Sequence, residues 1–278
     1  MTDRQLALKA FALRRRMLRL IHDAGAGHTG GGLSCLDILN LLYNRVLNIT
    51  PETAEAPGRD RYVQSKGHCV EALYTVMADR GYFPDADLDT VCHYRSYYVG
   101  HPTRKIRGME MNTGALGHGL PICLGMALAA KMDGATARVF TLLGDGELAE
   151  GSNWEAAMAA AHYKLDNLTA ILDHNTLQIT GHTREVMSNE PLDEKWRAFG
   201  WEVRIADGHD YAALDVAVTR PRPAGKPLLV IANTVKGRGV SFMENVGKWH
   251  HGVPSATELA QALDELAAAE KSFREITA

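Results

Sequence analysis

The chain has 278 residues, 46% of them hydrophobic and 23% charged, with a formal net charge of −3. These values are typical of a globular protein of one or two domains, and the near balance of charges gives no reason to expect a nucleic-acid or membrane partner. The first residues lack the apolar run of a secretory signal. The sequence also lacks the stretch of about 18 uncharged apolar residues that a membrane span requires.

The first half of the chain is predicted to be mainly helical. Thr2 and Gln5 are spaced as a capping box, and the apolar residues that follow recur on one helical face. Residues 25–32 include five glycines in eight positions, which predicts a break, and residues 51–60 form a polar loop. Further helices are predicted at 34–47, 70–80 and 121–131.

The second half alternates short apolar runs with helical segments. Residues 138–143 and 168–173 are apolar runs, and the alanine-rich residues 152–163 between them are helical. This order predicts a βαβ unit, whose two strands are parallel. Further strands are predicted at 201–205 and 227–233, with helices at 211–218 and after Ser255.

Helices that alternate with apolar strands predict an α/β fold with a mostly parallel sheet and helices on both faces. The sequence contains no internal repeat and no linker long enough to separate two units. We therefore expect residues 1–278 to form a single domain.

Two polar residues follow the strands of the βαβ unit. Asp145 comes after the first strand and Asn175 after the second, so both side chains should emerge at the same edge of the sheet, where ligands bind. Carboxylate and amide oxygens suit Mg²⁺ or Ca²⁺, and Mg²⁺ commonly shares its coordination with a substrate phosphate. Alternatively, Gly144-Asp145-Gly146 is only a tight turn and Asn175 a turn residue.

The spacing of this pair resembles the diphosphate-binding motif of thiamine diphosphate enzymes. Asp145-Gly146 is separated from Asn175 by residues 147–174, which hold the helix and the second strand. The resemblance implies that Asp145, Asn175 and the main-chain carbonyl of Leu177 hold a divalent cation on the diphosphate of the cofactor. Mg²⁺ is the expected cation, with Ca²⁺ and Mn²⁺ as alternatives.

Within those enzymes the resemblance narrows to the transketolase family and runs along nearly the whole chain. It implies the thiamine diphosphate-binding fold and the transfer of a two-carbon ketol unit from a ketose or its phosphate to an aldose or its phosphate. The passages that carry it are glycine- and histidine-rich: 27–31, 59–61, 65–68, 100–102, 112–119, 144–151, 173–175, 236–240 and 250–252.

The resemblance also assigns roles to histidines in predicted loops. His68 and His251 would contact the cofactor diphosphate, while His28, His101 and His251 would face the hydroxyls and carbonyl of the donor sugar. Imidazoles suit these tasks because they hydrogen bond to hydroxyls and titrate near pH 7. His250 is the weaker candidate of its pair, because the family pattern has a histidine followed directly by glycine. A lone loop histidine is otherwise typically solvent-exposed or structural.

Three further positions would lie against the cofactor, and one at an interface between subunits. Gly114, Leu116 and Ile179 would contact the cofactor, although the last two are equally typical of core packing. Glu150 would belong to a chain of acidic groups that joins two active sites. Its simpler interpretation is a carboxylate stabilised at a helix N-terminus.

In the transketolase family the glutamate that activates the cofactor comes from a second, pyrimidine-binding domain, and no second strand-helix series follows Pro254. We therefore expect the N-terminal, diphosphate-binding subunit of a split transketolase, with a C-terminal pyrimidine-binding partner in an α₂β₂ assembly. Two alternatives stay open. One is another two-chain thiamine diphosphate enzyme, either a decarboxylase or a transketolase for an unusual sugar. The other is a non-catalytic regulatory subunit that retains the fold.

The cysteines favour a reducing compartment. The four residues are far apart and form no C-x-x-C pair, which favours reduced thiols in a cytoplasmic protein over disulfides or a metal site. They are Cys35, Cys69, Cys92 and Cys123.

Overall fold

The computed structural model describes residues 1–276, and a five-stranded sheet with the order β1-β2-β3-β7-β6 lies at its centre. Every pair of neighbouring strands in this sheet is parallel, as the sequence predicts. A short antiparallel hairpin, β4-β5, follows β3. The strands are β1 (Arg61–Gln64), β2 (Val139–Gly144), β3 (Leu168–His174), β4 (Leu177–Gln178), β5 (Gly181–His182), β6 (Glu202–Asp207) and β7 (Leu228–Asn233).

Helices cover both faces of the sheet, because successive strand residues point to opposite sides. In β2, Phe140 and Leu142 belong to one hydrophobic cluster, whereas Val139 and Leu143 belong to another. The first cluster contains residues of α1 (Asp3–Ala24), α2 (Thr29–Leu41), α3 (Val70–Asp79), α8 (Tyr211–Thr219) and α9 (Ala256–Ile276). The second contains residues of α4 (Gly119–Met132), α5 (Gly151–His162) and α7 (Leu192–Ala198), and α6 is the short helix Thr183–Val186.

The first helix begins as predicted. The Thr2 side chain accepts a hydrogen bond from the backbone of Gln5, and the Gln5 side chain accepts one from Thr2, which completes the capping box. The helix ends at Gly25, whose φ of 62° is left-handed and costs glycine little. The predicted helices in α3, α4, α5, α8 and α9 are also present, with ends that differ by one or two residues.

The glycine-rich segment departs from its prediction. Only residues 25–28 break the helical path, because α2 begins at Thr29 and includes the three glycines that follow. Close packing explains them: a Cβ on Gly31 would lie 2.6 Å from Sγ of Cys69, and one on Gly32 would lie 2.9 Å from Sδ of Met17. Tertiary contact therefore overrides the low helix propensity of glycine.

Several short elements were also missed by the sequence patterns. Strand β1 has polar residues, Arg61 and Gln64, at both ends and so lacks a continuous apolar run. The β4-β5 hairpin, α6 and α7 are two to seven residues long, too short to show a clear period. The predicted helix at 34–47 is present as the later part of α2, and the chain then continues in a π-helical turn at Leu42–Val46.

The prediction of reduced thiols is confirmed. All four cysteines are free, and Cys92 is the exposed one. Within residues 1–276, no helix is both long and apolar enough to cross a membrane.

Candidate functional site

The βαβ unit places Asp145 and Asn175 at one edge of the sheet, as predicted. Strands β2 and β3 are paired with Gly144 opposite Asp173, so the chain leaves both strands at the same level. Both side chains are buried, with 5% and 4% exposure. Asp145 accepts hydrogen bonds from the backbone N–H groups of Gly146 and Thr176, which hold its carboxylate in place.

The main-chain carbonyl of Leu177 lies beside this pair, at the start of the β4-β5 hairpin. The backbone N–H of Leu177 donates to Oδ1 of Asn175 at 3.2 Å, and its carbonyl accepts from Nζ of Lys236 at 2.8 Å. A carboxylate, an amide and a carbonyl oxygen form a hard donor set that fits Mg²⁺ or Ca²⁺. The Leu177 carbonyl already binds a positive group in this structure, since its partner is an ammonium.

A cavity of about 400 Å³ opens over these donors. It combines polar groups with apolar walls, which is typical of a small-molecule site. Most of the predicted cofactor and donor residues line it together. The lining includes His28, His68, Gly114, Leu116, Asp145, Gly146, Asn175, Leu177, Ile179 and His251, together with Gly31, Lys66, Gly144, Glu147, Gln178, Thr180, Lys236 and His250.

Four imidazoles form a cluster at this cavity. The ring centroid of His28 lies 4.2 Å from that of His251 and 5.1 Å from that of His68. His250 stacks on His68, with centroids 5.5 Å apart and an interplanar angle of 16°. His250, which the sequence pattern ranked below His251, therefore belongs to the cluster, and it is the more buried of the two.

Two of these imidazoles are neutral at physiological pH. Burial and, less strongly, the neighbouring imidazoles lower the pKa of His28 to about 4. Burial and the nearby Lys236 ammonium lower the pKa of His250 to about 3. A neutral imidazole can both donate and accept a hydrogen bond, so these rings suit contacts to hydroxyl and carbonyl oxygens.

A buried ion pair supports the site from beneath. Lys66 donates to the carboxylate of Asp173 and to the Gly31 carbonyl, and the two charged side chains are 2% and 0% exposed. Burial alone would raise the pKa of Asp173, but the Lys66 ammonium and hydrogen bonds lower it overall. Asp173 also accepts from Asn175 Nδ2 at 3.2 Å and so orients the amide oxygen.

Glu147 lines the cavity, but its carboxylate is fully used within the chain. It accepts from Oγ of Ser65, from the Gly117 N–H at 2.9 Å and from the Gly144 N–H at 3.0 Å. Burial raises the pKa of Glu147, and these hydrogen bonds oppose the rise. Its role in this structure is to tie the end of β2 to the loop before α4.

Three predicted residues lie at the margin of the cavity or outside it. His101 packs against Gly114, where a Cβ would lie 2.5 Å from the ring, and its centroid is 6.3 Å from that of His28. Burial, and then the nearby His68, lowers the pKa of His101. Ile179 is 63% exposed at the tip of the hairpin. Glu150 is exposed at the start of α5 and does not line the cavity.

The sequence patterns did not single out Lys66, Lys236 and Gln178 as site residues, although the first two stand inside recognised passages. Lys66 follows β1, and this strand had no clear signal. Lys236 follows β7, so its place at the carboxyl edge of a predicted strand was a usable signal. Gln178 lies in the hairpin that the patterns missed.

Comparison with known proteins gives a consistent result. The family model described as "Transketolase, thiamine diphosphate binding domain" matches residues 7–276. The chain is 49% identical over 264 residues to a protein of Actinobacillus succinogenes named as one of the subunits of apulose-4-phosphate transketolase, covering 94% of this chain and 96% of that protein. It is 44% identical over 248 residues to a 6-deoxy-6-sulfo-D-fructose transketolase subunit of Clostridium sp., covering 88% and 90%.

Solved structures match the fold over almost the whole chain. Transketolase from Campylobacter jejuni superposes with a TM-score of 0.85 at 28% identity, covering 99% of this chain and 48% of that one. A transketolase variant from Pichia stipitis gives a TM-score of 0.88 at 26% identity, covering 98% and 44%. The chain thus spans about half the length of these solved transketolases.

Proposed function

Because the chain belongs to the transketolase family and corresponds to its thiamine diphosphate-binding domain, we propose that it is the diphosphate-binding subunit of a two-chain transketolase. The enzyme transfers a two-carbon ketol unit from a ketose phosphate to an aldose phosphate. The observation that carries the proposal is the convergence of Asp145, Asn175 and Leu177 with the imidazole cluster on one cavity. Residues 1–278 would form one domain of this enzyme.

We assign the diphosphate end of the cofactor to the cavity. Asp145, Asn175 and the Leu177 carbonyl would hold Mg²⁺ on the diphosphate, and His68 and His251 would contact its oxygens. Gly114, Gly146, Leu116 and Ile179 would lie against the rest of the cofactor. When bound, thiamine diphosphate supplies the electron sink that ketol transfer requires.

The histidines of this chain would then orient the sugar. Neutral His28 can donate to one oxygen of the donor and accept from another. His101 and His251 line, together with His28, a smaller cavity beside the main one. Such rings can steady the carbonyl oxygen of the donor and accept or return the proton of its hydroxyl. Glu150, exposed outside the cavity, is assigned to the contact between subunits.

The carboxylates that line the cavity are an argument for a partner chain. Activation of the cofactor needs a glutamate at its pyrimidine end. Among the described residues that line this cavity, Glu147 is the single glutamate. Its oxygens already accept hydrogen bonds within the chain, so it is not available for this task. Relatives that are named as transketolase subunits point the same way. We therefore propose a pyrimidine-binding partner in an α₂β₂ assembly.

The names of the relatives favour a specialised sugar as donor. Apulose 4-phosphate and 6-deoxy-6-sulfo-D-fructose appear in those names, and both are unusual ketoses. A decarboxylase would have less use for imidazoles placed to contact hydroxyls. A regulatory chain without activity would have no need for the buried Asp145 and Asn175 pair.

The test is to express the chain alone and together with a candidate pyrimidine-binding partner chain. We expect ketol transfer from a ketose phosphate to an aldose only when both chains, thiamine diphosphate and Mg²⁺ are present. The matched variant Asp145→Ala should remove activity without preventing assembly, which gel filtration would check. Transfer by the isolated chain would refute the two-chain proposal, and full activity of Asp145→Ala would refute the cation site.

A further inference from the structure

A second, smaller cavity of about 290 Å³ adjoins the main one. His28 and His251 line both, so these two imidazoles lie between the two cavities. The smaller cavity contains none of the cation donors and is bordered by the loop before α2, by His101 and by Glu71 of α3. It therefore extends from the main cavity on a side that lacks the proposed cation ligands.

Two buried polar atoms at this cavity have no hydrogen-bond partner. They are Nδ1 of His28 and Oε2 of Glu71, and Glu71 is only 1% exposed. The other carboxyl oxygen of Glu71 lies against the turn at Gly27, where a Cβ would be 3.1 Å from it. Buried polar groups are nearly always hydrogen-bonded, so two unpartnered atoms beside one cavity indicate a polar ligand.

Glu71 has the chemistry of a neutral hydrogen-bonding group. Burial raises the pKa of Glu71 to about 8, and backbone hydrogen bonds from Glu71 itself and from His28 oppose that rise. The carboxyl group is therefore mostly protonated near pH 7, with one oxygen that accepts and an O–H that donates. A hydroxyl group, which also donates and accepts, complements both carboxyl oxygens, whereas an ionised phosphate only accepts and would leave the accepting oxygen of Glu71 unpaired.

We propose that this cavity is a subsite for the polyol chain of the donor sugar and that Glu71 binds a hydroxyl beyond the two transferred carbons. The inference rests on the proposed ketol transfer, because it needs a ketose in the main cavity. Glu71 is then a specificity-determining residue: it favours donors with a hydroxyl at that position. A site built to bind a hydroxyl rejects analogues that lack it, because its own polar group would stay unpaired.

The test uses the assembled two-chain enzyme and two donors with glycolaldehyde as the common acceptor. One donor is the ketose phosphate that the wild type uses, and the other is hydroxypyruvate, which has no polyol chain. In Glu71→Met, which keeps the length but removes the hydrogen bonds, kcat/KM for the ketose should fall about 10-fold, the loss expected for one hydrogen bond. The value for hydroxypyruvate should change less than about twofold.

Two further variants separate binding from simple packing. Glu71→Gln, which can still donate and accept, should recover most of the ketose activity. The control Asp79→Asn changes a carboxyl group at the other end of α3, where it pairs with Lys9 outside both cavities, and it should leave both donors unchanged. Equal losses on both donors, or no loss in Glu71→Met, would overturn the subsite. Failure of the wild type to use either donor would instead refute the proposed ketol transfer, and the subsite with it.

Discussion

Removal of the Lys66 ammonium should destabilise the fold strongly. Lys66 and Asp173 are 2% and 0% exposed, so Lys66→Met leaves a carboxylate buried without its counter-charge. Breaking a buried ion pair in this way costs about 3 to 5 kcal/mol. Since one kcal/mol corresponds to roughly 2 to 4 °C for a chain of this size, the melting temperature should fall by roughly 6 to 20 °C.

The loss of stability in Lys66→Met should also depend on pH. In the wild type the pKa of Asp173 is lowered, so its contribution is present above the unfolded pKa and is lost only in strong acid. In Lys66→Met we expect burial to dominate and to raise the pKa of Asp173 above its unfolded value. The contribution of Asp173 is then present below its unfolded pKa and is lost as the pH rises. The stability gap between the two proteins should therefore be wider at pH 8 than at pH 5.

Urea denaturation followed by tryptophan fluorescence would measure both effects, since Trp196, Trp201 and Trp249 are buried. The matched control is Arg197→Ala, which removes the exposed i,i+4 pair with Asp193 and should cost less than about 0.5 kcal/mol. A loss below about 1 kcal/mol in Lys66→Met, or the same loss at both pH values, would refute the reasoning.

The remaining predictions concern single side chains. Gly31→Ala should lower the free energy of unfolding by about 1 to 3 kcal/mol in thermal melts, because its Cβ would lie 2.6 Å from the buried Sγ of Cys69. Gly125→Ala in α4, with nothing within 4 Å, should be neutral or stabilising by up to about 1 kcal/mol, and an equal loss would contradict the packing argument. Burial raises the pKa of Glu71 to about 8, so the wild type should lose stability relative to Glu71→Gln as the pH rises from 5 to 8. The slope should approach roughly 1.4 kcal/mol per pH unit in urea melts, and parallel curves would speak against it. Calorimetry should show that EDTA weakens the binding of thiamine diphosphate to the wild type but not to Asp145→Ala; equal sensitivity to EDTA would exclude Asp145 as a cation ligand.

The parts of the fold that could be predicted from the sequence are those with a sustained period. The capping box at Thr2 and the βαβ unit from β2 to β3 follow from local patterns, and the parallel pairing then brings Asp145 and Asn175 to one edge. The glycines of α2 were misjudged because their reason is contact with Cys69 and Met17, which lie elsewhere in the sequence.

The candidate site shows the same division. Histidines beside glycine were identifiable from the resemblance, and most of them line the cavity. The presence of His250 in the cluster was not predictable, because it depends on the contact of this ring with Lys236 in the folded chain. Glu71 was missed because an acidic residue in an apolar helix has no local signal that distinguishes it from a surface residue. The turn at Gly27 lies against its carboxyl group in the folded chain and contributes to its burial.

Asp173 joins parts of the chain that are far apart in sequence. Its carboxylate accepts from Ser34 in α2, from Lys66 after β1 and from Thr234 after β7, as well as from the nearby Asn175. The contacts with Ser34, Lys66 and Thr234 are expected to form late in folding, because each must first close a long loop. We therefore expect the proposed cation ligand Asn175 to reach its place only when residues 34 to 234 have assembled. Cofactor affinity should therefore report on completion of the fold, and a nascent chain still lacking β7 should not retain thiamine diphosphate.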